Sequence, residues 1–84
     1  MTFPDIHSNG TSPESLIESY SKAFDSLQLA YDDLKQTAPN GRDHYLSNTF
    51  EQAVREHMAR LQAIHNVMDQ LENLIGGIEE VVRR

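Results

Sequence analysis

Four histidines, thirteen acidic residues and a run of serines are the side chains with which this 84-residue chain could do chemistry. A helical metal site needs ligands one turn apart, as in Glu-x-x-His or His-Glu-x-x-His. His57 and His65 are eight residues apart, and neither pattern occurs. Carboxylates that share acid–base work must converge on one point. Asp32-Asp33 and Glu79-Glu80 are adjacent in sequence, and neighbours on a helix point about 100° apart. Ser15, Ser19, Ser21 and Ser26 have no histidine at a helical spacing that would make a nucleophile and base. With no cysteine, the chain has no thiolate nucleophile, disulfide or Cys-type zinc site. The expectation is a protein that is not an enzyme and carries no metal and no cofactor.

Charge and hydropathy narrow the alternatives. Thirteen acids against seven bases give a net charge of −6, which disfavours neutralising the phosphates of nucleic acid or anionic lipid. No basic patch offsets it. Met1 to Gly10 lacks the basic start and apolar core of a secretory signal, and no apolar run approaches a bilayer span. We therefore expect a cytoplasmic protein that binds other proteins, with no direct nucleic-acid or membrane contact.

The elements that position these side chains are read from spacing. Pro4, Ser8, Asn9 and Gly10 make residues 1–10 an irregular arm, leaving 11–84 as the folded domain. Thr11 and Glu14 fit a capping box, and Pro13 suits a first helical turn. Ile17, Tyr20, Phe24, Leu27, Tyr31 and Leu34 then recur every three or four residues. Leu16, Ala23 and Ala30 widen that stripe. Ala38-Pro39-Asn40-Gly41 ends the helix in a turn where Asn40 or Gly41 tolerates positive φ.

A second helix starts near Ser47 or Asn48, with Asn48 and Glu51 as the cap pair. Its seam is Phe50, Val54, His57, Leu61, Ile64, Met68, Leu71, Ile75, Ile78 and Val82, alternating steps of four and three without a slip. His57 is the single polar occupant, suited to fixing register. Gly76-Gly77 predicts a kink or a frayed last turn, with 78–82 still helical.

The chain is thus expected to be all-α, an antiparallel two-helix hairpin with helices at about 12–37 and 48–82. At 1.5 Å per residue they are roughly 37 and 52 Å long, so helix two should overhang at its C-terminal end. Phe3, Pro4 and Ile6 of the arm, or a second copy of the chain, would cover Leu74, Ile75, Ile78, Val81 and Val82. One seam is also too small a core for a chain of this size. The expected solution is a homodimer forming a four-helix bundle, with Leu61, Ile64, Met68, Leu71, Leu74, Ile75, Ile78 and Val82 at its interface.

Two surfaces are candidates for a partner protein. Arg42, Asp43, His44 and Tyr45 gather an arginine, a histidine and an aromatic at the loop. Glu18, Asp25 and Asp32, seven residues apart, make a line of acids about 10 Å between members. Such a line could mimic phosphates and occupy a basic nucleic-acid-binding or defence protein.

Around the loop, Ala38-Pro39-Asn40-Gly41-Arg42-Asp43 followed by Tyr45, then Glu56-His57 and Arg60-Leu61, resembles small helical proteins of unassigned role encoded in bacteriophages and prophages. The likeness runs from Ser8-Asn9-Gly10-Thr11 into the second helix. It departs at His44, where tyrosine is expected, and at Leu46-Ser47, where Pro-Gln is expected. The resemblance implies a phage context and no enzymatic activity. Two roles stand beside a general interaction module: an acidic phage inhibitor of a host protein, acting through Glu18, Asp25 and Asp32, and an assembly subunit of a phage or secretion apparatus.

Overall fold

The computed structural model describes residues 2–4, 12–44 and 48–83. Their regular structure is wholly helical: α1 (Pro13–Lys35), a short 3-10 turn (Gly41–His44) and α2 (Phe50–Arg83), with no strand among the described residues.

α1 begins one residue later than the sequence reading and α2 two residues later, each for a local reason. Pro13 holds the residue before it out of the helical region, and Ser12 is extended at φ −63°, ψ 146°. The cap of α1 is therefore Ser12, whose hydroxyl accepts from the Ser15 N–H at 3.1 Å. Thr11 lies outside the described residues. At α2, Asn48 adopts a left-handed φ of 56° and turns the chain into the helix, so it cannot be the cap. The Thr49 carbonyl accepts the first helical bond, from the Ala53 N–H at 2.9 Å. Neither Asn40 nor Gly41 has positive φ.

α1 ends at Lys35, two residues short of the expected boundary. The Leu34 carbonyl accepts from the Thr37 N–H at 3.0 Å and from its hydroxyl at 2.7 Å, which closes the last turn before Pro39. α2 runs unbroken through Gly76-Gly77 to Arg83. The ring of Phe3 packs on Gly77: a Cβ at that position would lie 2.5 Å from Phe3 Cε1, while nothing lies within 4 Å of one at Gly76. The missing side chain at residue 77 is thus the seat of the arm.

The two apolar stripes meet each other. Tyr31 and His65 rings lie 6.3 Å apart, and Phe24, Gln28 and Tyr31 share one groove with His65, Met68, Asp69 and Glu72. All six α1 seam residues are half-buried. Full burial is reached only by His57, Leu61, Met68 and Ile78, all on α2, among the described residues. The outline is a rod, 62 × 20 × 18 Å.

Leu74, Ile75 and Ile78, expected to extend past helix one and to be covered by the arm or a second copy, are shielded within the single chain. Ile78 is the most deeply buried side chain described, at 1% exposure, and Leu74 and Ile75 are half-buried. Only Val81 and Val82 stay exposed. The connection between the helices accounts for the difference. It reaches α2 only at Phe50, and its Thr37, Ala38, Pro39 and Asp43 line a groove with Ala53, Glu56, His57 and Arg60. The first turns of α2 therefore run beside the connection, and α1 lies against the later ones.

Candidate interaction surfaces

At the loop, Asn40 does the positioning. Its Oδ1 accepts from the Arg42 N–H at 2.9 Å and the Asp43 N–H at 3.2 Å, and its carbonyl accepts from Asp43 N–H at 3.2 Å. This Asx-type turn leaves the Arg42 and Asp43 side chains exposed. Asn40 was legible only as a turn former, and not as the residue that holds the loop. Tyr45 and the side chain of His44 lie outside the described residues. Beside it, the groove shared with α2 has a volume of about 360 Å³. Arg60 and Glu56 form an exposed ion pair across one turn there, at 3.7 Å.

Along α1, Glu18, Asp25 and Asp32 are all exposed. Asp32 is engaged locally: it accepts from Gln28 Nε2 at 3.2 Å and lies 3.7 Å from Lys35 Nζ. Lys22 is exposed on the same helix, and exposed pairs and charges of this kind contribute little to stability.

A third cluster is visible only in three dimensions. Lys35 Nζ sits 5.3 Å from the Tyr31 ring centre, the Tyr31 ring tilts against His65, and His65 Nδ1 is 3.3 Å from an Asp69 carboxylate oxygen. The groove here holds about 310 Å³. Tyr31 belongs to the expected seam, but nothing in the sequence pointed to Lys35.

Of the expected interface residues, Leu61, Met68 and Ile78 are buried within the single chain. Ile64, Leu71, Leu74 and Ile75 are half-buried and Val82 is exposed. Most of that seam is therefore spent against the chain itself. Among the described residues no three His, Asp, Glu or Cys side chains gather where they could hold a metal, and no helix is long and apolar enough to cross a membrane. No protein-family model, curated protein or solved structure matches this chain.

Proposed function

We propose that this chain is a non-enzymatic, cytoplasmic protein-interaction module of phage or prophage context, built as an antiparallel helical hairpin that dimerises into a four-helix bundle. The hairpin is supported by register. Phe24, Gln28 and Tyr31 ascend α1 beside Glu72, Asp69 and His65, which descend α2. Carried on, that register sets Pro13 level with Arg83, so that α1 spans the C-terminal two-thirds of α2.

The observation that carries the dimer is the thin core: α1 buries no residue fully, and α2 buries four. Two such hairpins would turn each half-covered stripe inward. Light scattering after size exclusion, over a range of concentrations, tests it. Twice the 9.6 kDa chain mass is expected; a mass of one chain throughout the micromolar range would sink the bundle.

The loop with Arg42, Asp43, His44 and Tyr45 is the proposed contact for a partner protein, supported by the exposure of Arg42 and Asp43. A second reading, the acidic inhibitor, is favoured by the exposure of Glu18, Asp25 and Asp32. It requires partner binding that weakens steeply with salt. Binding unchanged by salt removes it, and binding unchanged in an Arg42→Ala, Asp43→Ala variant removes the loop.

A further inference from the structure

We infer that the second copy docks on one particular edge of the hairpin, the row formed by Leu16, Ala23 and Ala30 of α1 with Val67, Leu74 and Val81 of α2. This rests on the dimeric hairpin proposed above and says which of its faces is used.

The two edges of the hairpin are chemically opposite. With the seam residues as a and d of a heptad, Leu16, Ala23 and Ala30 are all g positions, and so are Val67, Leu74 and Val81. In an antiparallel pair, g positions of one helix flank g positions of the other, and e flanks e. The groove between the two helices obeys this: Gln28, His65 and Glu72, all e, share it. The e edge is polar. The g edge, from Leu16 to Ala30 and from Ala63 to Val81, carries no charge, and its flanking c positions add only serine, alanine, glutamine and glycine.

This edge is also left open. Val67 is 44% exposed and Val81 45%, and Phe3 packs on Gly77. The whole chain exposes 6459 Å², whereas a folded monomer of 9.6 kDa exposes about 5,100 Å² by the usual scaling with mass. The excess, roughly 1,400 Å², belongs to the whole 62 Å rod, and the ~800 Å² each partner gives to a standard interface would remove more than half of it.

Charge selects a second copy as the occupant. Each chain carries −6, so two copies associate at least electrostatic cost through a face free of carboxylates. A basic partner would find nothing on this edge to pair with. The same face on both subunits also meets the requirement of a twofold, self-complementary contact.

The test uses the full chain. A V67E/V81E variant is compared with a Gln28→Lys, Glu72→Lys variant of the e edge, with mass read by light scattering and helicity by circular dichroism. V67E/V81E is expected to be a helical monomer and the e-edge variant a dimer. A V67E/V81E protein that stays dimeric overturns the assignment while leaving the dimer standing; a wild type that is monomeric removes the dimer itself.

Thiol labelling decides the case even where the glutamates prevent folding, because the chain has no cysteine of its own. In the dimer, a cysteine placed by Val67→Cys should label about tenfold or more slowly than one placed by Gln28→Cys. Equal rates refute the face.

Discussion

Gly76 and Gly77 are adjacent, helical and chemically identical, yet replacing them by alanine should have opposite effects. Alanine in a helix interior is favoured over glycine by about 1 kcal/mol. At Gly76 the added methyl meets nothing within 4 Å, so Gly76→Ala should stabilise by that amount, a rise in Tm of about 4–8 °C for a domain of this size. At Gly77 the methyl would fall 2.5 and 2.7 Å from two ring carbons of Phe3, and the ring must leave. Phe3 is 48% exposed, so about half of a ring surface near 200 Å² is covered, and its release gives up at most about 2.5 kcal/mol. Gly77→Ala should then destabilise by up to about 1.5 kcal/mol once the helical gain is included. In a Phe3→Ala background the two alanines should become equivalent. Urea unfolding of all variants at one fixed chain concentration, followed by circular dichroism, reads these differences. A Gly77→Ala variant as stabilised as Gly76→Ala, with Phe3 intact, would refute the seating of the arm on α2.

Three further substitutions follow from local geometry. Ser12→Ala removes the hydroxyl that accepts from Ser15 N–H and should cost about 1 kcal/mol in urea unfolding, while Thr11→Ala costs less. Asn48→Gly should preserve or raise stability because φ is 56° there, whereas Asn48→Val should cost about 1–2 kcal/mol by the same assay. His57→Leu, at the one polar position of the seam and buried on α2, should raise Tm and broaden the distribution of oligomer masses; an unchanged Tm would show that the histidine costs the seam nothing.

The helices and their contact faces were legible because a heptad is a direct geometric instruction. Every seam residue of α1 is shielded relative to Ser19, Lys22 or Asp33, and the three fully buried apolar residues of α2 all belong to its predicted seam. What could not be read was the path between the helices. Ala38-Pro39-Asn40-Gly41 looks like the whole reversal, but the chain needs the 3-10 turn and Asn48 before α2 begins. That longer connection runs beside the first turns of α2, and Ile78, expected to be covered by the arm or a second copy, is buried within the single chain. The capping shift from Thr11 to Ser12 follows from Pro13 and was available in principle. Contacts such as Lys35 over Tyr31 depend on rotamers and leave no trace in spacing.

The distance along the chain between Phe3 and Gly77 gives their contact a distinct place in time. The Tyr31–His65 contact closes a loop less than half as long as the one that Phe3 closes on Gly77, and each doubling of loop length adds only about 0.6 kcal/mol of closure entropy. In the proposed hairpin, zipping of α1 and α2 from the connection outward would order most of that longer span first. The aromatic ring then has one notch to find, at Gly77. A contact of that kind would be a clasp fastened last and loosened first, and exchange with solvent should then begin at the last turns of α2 while the middle of the rod is still protected.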